Sequence, residues 1–544
     1  MCWNWRHSLR ECLAGLAGKK EEILRRKSII AAAALFLAIS AIAALAQKDP
    51  GVRGGLANTG GGLQHRGIPI PHPPLISPNP TTGAIVNDNE RLSFEEGINR
   101  AGQLESTCDN CAEVTDGSPV PGELDPAFPQ LRTNSNGLGA RHNADQCFVC
   151  HAQPTLGGSG GFIVPNPGDP TPEFAENPQF RLVPHRFGKQ NTVPSFEKQY
   201  GPIREVRFKF NADGTRDGGV HQLWTVRGIT KDSTIPDCAL AQPDFAAQLT
   251  KGNLAFRIPT QMLGLGLIES IQDHEIVAQH TATAEERAEL GIQGHPNRSG
   301  NDGTITRFGW KAQNKSLTIF AGEAYNVEMG ITNEVFPTAM EEDPNCQGPN
   351  KPEPNDVLRT ATNDAGNQAF DNPIHILPDW MQFQVMMRFT DGPAPDPHPG
   401  ASARRGQAVF AQIGCALCHT AQMQTAPVMN SPVLQDRPVS LYSDLMVHHM
   451  GANLADNIIQ GQAGPDEFRS SPLWGVGQRI FFLHDGRTSD LLDAIREHAS
   501  PASPAVPSQN IPAYPASEAN GVIRHFNSLS STDKQAILDF LRSL

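Results

Sequence analysis

The chain is poor in aromatic residues. Phe, Trp and Tyr make 6% of its 544 residues, and there are only four tyrosines. Such a composition suits a protein in which a large bound cofactor supplies part of the apolar surface of the core. Basic charge is also short: 44 Lys and Arg stand against 57 Asp and Glu, a formal charge of −13. That balance argues against nucleic acid as a partner, because phosphates call for a positive surface. It suits solubility and a basic redox partner. After residue 45 no apolar run is long enough to span a bilayer, and no domain-sized internal repeat is visible. Glycine (50) and proline (45) are plentiful, which predicts a loop-rich protein.

The first 46 residues read as an export signal. Arg25, Arg26 and Lys27 flank an apolar run over 29–45, and Ala44-Leu45-Ala46 fits a small-residue cleavage site before Gln47. The expected location is therefore the periplasm or another exported compartment. If the segment stays uncleaved, it is the chain's attachment to the membrane.

Ten cysteines are present. Cys2 and Cys12 leave with the signal. Cys147-Phe148-Val149-Cys150-His151 and Cys415-Ala416-Leu417-Cys418-His419 share the c-type haem attachment pattern. The spacing has a chemical reason. Two thiols must reach the two vinyl groups on one edge of a porphyrin, and the histidine that follows binds iron beneath it. Two covalently attached haems are thus expected, with His151 and His419 as proximal ligands. Cys108-Asp109-Asn110-Cys111 is followed by Ala112, not by histidine, so it is not a third haem site. With Cys238 and Cys346 it leaves four cysteines for disulfides in an oxidising compartment, their pairing open. A redox-active dithiol at Cys108 and Cys111 is the alternative.

The pattern along the chain predicts a mainly α fold of two cytochrome c-like haem domains with long loops. An N-terminal haem domain is expected over 47–390, with an insertion at about 152–300. A proline-rich linker follows over 391–400, then a C-terminal cytochrome c domain over 401–544. Ser402 is positioned to cap a helix over 403–414 leading into the second motif, and Ser531 one over 532–542. In the insertion, 205–210 and 220–226 flank a turn-rich stretch and predict a β-hairpin. Residues 263–271 and 284–290 look helical.

Two further stretches are more specific. One is Phe482-Leu483-His484-Asp485-Gly486-Arg487. The other is Arg307-Phe308-Gly309-Trp310-Lys311-Ala312, followed by Glu328-Met329-Gly330-Ile331-Thr332-Asn333. With the two haem motifs they resemble the di-haem oxidoreductase family over about 90–544. That family is a distant relative of the bacterial di-haem cytochrome c peroxidases and of the enzyme that matures tryptophylquinone cofactors. The resemblance implies that Trp310 relays electrons between the haems and that Glu328 is the acid/base group of peroxide chemistry. Phe320 stands where the peroxidases have a distal glutamine, a departure that bears on that chemistry. By the same resemblance the C-terminal haem takes its sixth ligand fourteen residues past His484, at His498. Met450, or His448 beside it, is the competitor, and His484 is expected to fix a loop through a hydrogen bond. For the N-terminal haem no histidine follows the motif until His185 and His221, which favours an open site. Calcium, which the peroxidases bind between their domains, is a further cofactor the resemblance allows.

Apart from the resemblance, a carboxylate such as Glu328 beside an open iron position can shuttle a proton between peroxide oxygens. Three functions follow as expectations. The first is reduction of hydrogen peroxide, or another small substrate, at the N-terminal haem, with electrons from a small redox protein entering through the C-terminal haem. The second is oxidation of an organic or protein substrate through high-valent iron. The third is electron carriage alone, with both haems six-coordinate.

Overall fold

The computed structural model describes residues 138–161, 177–181, 191–225, 240–337, 379–427 and 434–544 nearly throughout. Shorter pieces are described at 47–52, 63–70, 94–106 and 132–136. The signal segment, Cys108, Cys111, Cys238, Cys346 and His185 lie outside the described residues. Among the described residues the elements are α-helices, short 3-10 turns and small two-stranded sheets, as a mainly α expectation requires. No helix among them is long and apolar enough to cross a membrane.

At the C-terminal end, the Ala401–Gln412 helix packs across the last helix, Ser531–Ser543. Gly406 makes the crossing possible: a Cβ there would lie 1.8 Å from the Ala536 carbonyl oxygen. Phe410, Phe540 and Tyr442 interlock edge to face beside it, with centroids 5.4 and 5.7 Å apart. Two expected caps are corrected. The first helix begins at Ala401 with Gly400 at its cap position, and the Ser402 hydroxyl instead donates to Asp539 across the crossing. The last helix is capped by Ser530, whose hydroxyl accepts from the Asp533 amide. A cap lies one residue before the first helical turn, and in both cases that turn opens one residue or two earlier than its apolar stripe suggests.

Residues 391–400 are irregular but held down. The Asp396 amide donates to the Ser543 carbonyl at 2.7 Å, and Gly392 lies flat against Trp474.

In the N-terminal part, Leu317–Met329 is the principal helix, opened by a Ser316 cap and closed by Gly330 at φ 67°. It packs on the Asp379–Phe389 helix, which also contacts Leu265–Glu269. The Ala284–Leu290 helix has the expected bounds. The expected hairpin forms only in part. Glu205–Phe208 turns at 211–215 and returns through the bridges Phe210↔Arg216 and Arg207↔Val220. Its main partner, however, is Leu254–Arg257, and Trp224–Thr225 leaves to pair with Arg141–His142. Burial decides this. Trp224 is sealed in a cluster with Ala144, Val149, Phe196 and Leu223, which rewards the pairing that carries it inside.

Candidate di-haem site

Each Cys-x-x-Cys-His motif forms one tight turn. Cys147–Val149 and Cys415–Leu417 are 3-10 turns, and the amides of His151 and His419 donate back to Cys147 and Cys415 at 3.1 and 2.9 Å. Both imidazoles are oriented in the same way. His151 Nδ1 donates to the Gly158 carbonyl at 3.0 Å, and His419 Nδ1 to the Tyr442 carbonyl at 3.1 Å. Such a bond to a carbonyl orients the ring and favours the tautomer protonated at Nδ1. Burial holds both rings down to about 4, so both are neutral and ready to ligate at neutral pH.

Each turn opens into a cavity. The N-terminal one spans about 1110 Å³ with its open mouth included and is lined by Cys147, Cys150, His151, Trp310, Phe320 and Glu328. The C-terminal one spans about 1380 Å³ with its open mouth included, and its lining includes Cys415, Cys418, His419, His498, Met450, His448 and His484. Two thiols and a neutral imidazole are a donor set that fits a c-type haem in each.

Trp310 lines both cavities. Its indole Nε1 donates to the Ile258 carbonyl at 2.9 Å. The neighbouring Lys311 anchors it: Nζ donates to the Gly464 and Glu467 carbonyls at 2.8 Å each and pairs with Asp456 at 3.1 Å. Asp456 also pairs with Arg257 at 2.7 Å. Burial works against the Asp456 charge, but these two cations hold its carboxyl at about 2.

Glu328 reaches the N-terminal cavity because 139–143 runs along the end of its helix. The Gly139 amide donates to Met329 and the Asn143 amide to the Glu328 carbonyl, at 2.8 and 2.7 Å. Asn143 Nδ2 also donates to the Glu328 carboxylate at 2.7 Å. The chain then enters the first motif. Burial, and next the adjoining Glu205 carboxylate, push Glu328 up to about 8, against the Asn143 bond and Arg207.

Sequence reasoning missed the charges around it. Glu205, Arg207, Arg257 and Glu323 all line the N-terminal cavity. Glu205 and Arg207 alternate on one strand and so share a face, which was a legible signal. Arg257 and Glu323 carried none.

The histidine candidates separate by their partners. His498 Nδ1 donates to the Ala494 carbonyl at 2.7 Å, as the Nδ1 of His151 and of His419 does to a backbone carbonyl. Both nitrogens of His448 are taken, by Glu518 at 2.8 Å and Asp444 at 3.0 Å. Met450 packs with Ile258, Trp310, Leu454 and Phe468. His484 stacks on Phe468 at 4.2 Å, and it is its backbone carbonyl that fixes the loop, accepting from Ile258 at 2.7 Å. His221 pairs with Asp217 and stacks on Phe208, and it is not among the residues lining the N-terminal cavity. Among the described residues no three His, Cys, Asp or Glu side chains converge as a metal site, so no side-chain cluster there marks a place for calcium.

Two cavities, each opening on a Cys-x-x-Cys-His turn and sharing one indole wall, offer donor sets that fit two haems. The model of the family described as "di-haem oxidoreductase, putative peroxidase" matches residues 244–543. That is more than half of the chain, which therefore belongs to this family of haem-dependent oxidoreductases. The match takes in Trp310, Glu328 and the second motif. It begins after the first motif, so it is shorter than the stretch the sequence reading assigned to the resemblance. A comparison with curated proteins finds no match.

Proposed function

We propose that the chain is an exported peroxidase that holds two covalently attached haems through Cys147 and Cys150 and through Cys415 and Cys418. In this reading it reduces hydrogen peroxide in the N-terminal cavity. The observation that carries this is the placement of Trp310 and Glu328. Trp310 lines both cavities, whereas Glu328 lines the N-terminal one alone. The two sites are thereby unequal: Glu328 is a carboxyl held mostly protonated beside the first motif, whereas the carboxylate lining the C-terminal cavity, Glu518, is already engaged by His448 and the Gln293 and Gly294 amides.

Bound haem supplies a redox-active iron that takes peroxide oxygen and passes single electrons. The protein's own groups do the rest. His151, beside Cys147 and Cys150, would hold the iron in the N-terminal cavity. The Glu328 carboxylate takes a proton from one peroxide oxygen and returns it to the other, while Asn143 Nδ2 fixes its orientation. Phe320 offers no hydrogen bond at the position where relatives of this chemistry have an amide, so the carboxylate carries the proton work. Trp310 is the packed aromatic path between cavities. In the C-terminal cavity His498 would join His419 in holding the iron, whereas both nitrogens of His448 are engaged by carboxylates. The acidic chain suits a small basic redox protein as donor.

Electron paramagnetic resonance of the resting and half-reduced protein tests this reading. A high-spin ferric component that peroxide or cyanide abolishes supports an open N-terminal site. Low-spin signals alone in both states would show two six-coordinate haems and leave an electron carrier.

A further inference from the structure

Arg469 and Arg479 are the anomaly of the interior. Each is only 8% exposed, yet among the described residues no carboxylate meets either one. Arg469 Nε and Nη1 have no hydrogen-bond partner, nor does Arg479 Nε. The one side-chain bond of Arg479 is a long one, 3.4 Å, to the Ser159 hydroxyl. Other buried arginines in this chain show the usual solution: Arg257 meets Asp456, Arg307 meets Asp273 and Arg542 meets Asp49. Burying an unpaired guanidinium is costly unless a counter-charge arrives.

Both arginines line the C-terminal cavity and also a smaller one of about 440 Å³. That smaller cavity shares Thr260, Gly309, Trp310 and Phe320 with the N-terminal site. The Arg469 amide donates to the Trp310 carbonyl at 2.9 Å. Ser159 lies next to Gly158, which holds the His151 ring. The two free cations therefore stand where the cavities meet.

We infer that Arg469 and Arg479 form a carboxylate-binding site between the two cavities, occupied by propionate groups of the bound haem. Haem carries two propionates on the edge away from its vinyl groups. Guanidinium recognises carboxylate in a fork geometry, and it stays charged when buried. The pair positions the cofactor and lowers the cost of electron arrival by neutralising negative charge beside it. This rests on the haem reading proposed above.

The test compares Arg469→Gln, Arg479→Gln and Arg469→Lys in the holoprotein. Haem stoichiometry by pyridine haemochrome comes first: fewer than two haems in the unaltered protein refutes the haem reading itself. With two haems present, each glutamine variant is expected to shift the propionate bending bands in resonance Raman. Each should also lower the midpoint potential of the low-spin haem, cutting its reduced-to-oxidised ratio at fixed electrode potential by on the order of tenfold. Arg469→Lys should retain most of that ratio. Should a glutamine variant lose haem, restored attachment in the lysine variant supports the same assignment, and failure of the lysine variant to restore it overturns it. Unchanged bands and potentials with two haems attached overturn the proposal. So does a saturable shift of the unaltered protein's potential by added formate that both glutamine variants abolish, because the site would then serve a free anion.

Discussion

The Trp310 indole meets the His484 imidazole edge to face, with centroids 6.4 Å apart and planes inclined by 71°. Phe468 stacks on the other side of that contact, 4.2 Å from His484. Trp310 is thus clamped in an aromatic stack at the boundary of the two cavities. Trp310→Phe should slow donor-driven peroxide turnover by on the order of tenfold or more, with both haems still attached. It also strands the Ile258 carbonyl that accepts from the indole, at a cost of about 1–3 kcal/mol. Stopped-flow turnover with a reduced donor checks the first effect and urea titration the second. Unaltered turnover would remove Trp310 from the electron path.

Glu328 is pushed up to about 8, so at neutral pH it is mostly protonated. A base acts only when deprotonated, so kcat/KM for peroxide should rise with pH through about 8. Glu328→Gln should lower turnover by about 100- to 10,000-fold and flatten that limb. The sign for stability is opposite. A carboxyl whose folded value lies above its ordinary 4.5 favours folding least when ionised, so stability should fall as pH rises from 4.5 to about 8. The glutamine variant should lose that dependence. A pH series of activity and of urea midpoints reads both.

His498→Ala should convert the low-spin C-terminal signal to high-spin or to a new low-spin form, because it removes a ring that lines the cavity of the second motif and, among the described residues, meets no carboxylate there. His448→Ala should leave that ligation in place, since both its nitrogens serve carboxylates. The reverse outcome in the two magnetic resonance spectra would pass the ligand role to His448.

Asp49 makes a two-pronged pair with Arg542, at 2.7 Å for each contact, and accepts from the Leu491 amide at 2.9 Å. It lies three residues after the expected cleavage site and ties that stretch to the last helix. Asp49→Ala should destabilise the protein by about 3 kcal/mol, because it leaves Arg542 buried and unpaired. Burial works against the Asp49 charge, but Arg542 and the backbone amides prevail and hold its carboxyl below the ordinary 3.8. That stability is present above pH 3.8 and is lost as pH falls below it. Thermal melting from pH 7 to pH 3 follows the loss, and an unshifted melting temperature at neutral pH would show the clamp to be idle.

Gly406→Ala places its methyl carbon against backbone, 1.8 Å from the Ala536 oxygen, and backbone cannot rotate away. We expect a loss of about 2–3 kcal/mol from forced separation of the two helices, read as a lower melting temperature.

The attachment spacing of both haem motifs was legible in the sequence because it is local: five consecutive residues form one turn, whatever surrounds them. The first and last helices of the C-terminal unit were legible for the same reason, through their periodic stripes, although their caps shifted by one residue or two. The family was legible from short motifs around Trp310 and Glu328. Tertiary structure decided what these residues face. Glu328 stands beside the first motif, far away along the chain, only because Gly139 and Gly330 let two backbones meet without side chains between them. The hairpin lost half of its second arm because burying Trp224 favoured a distant strand. Spacing from His484 pointed to His498 ahead of His448, and the tertiary structure added the physical difference, that both nitrogens of His448 are already engaged by carboxylates. The unpaired arginines, too, are ordinary letters in the sequence. Their meaning comes from burial without a counter-charge, which depends on every element that surrounds them.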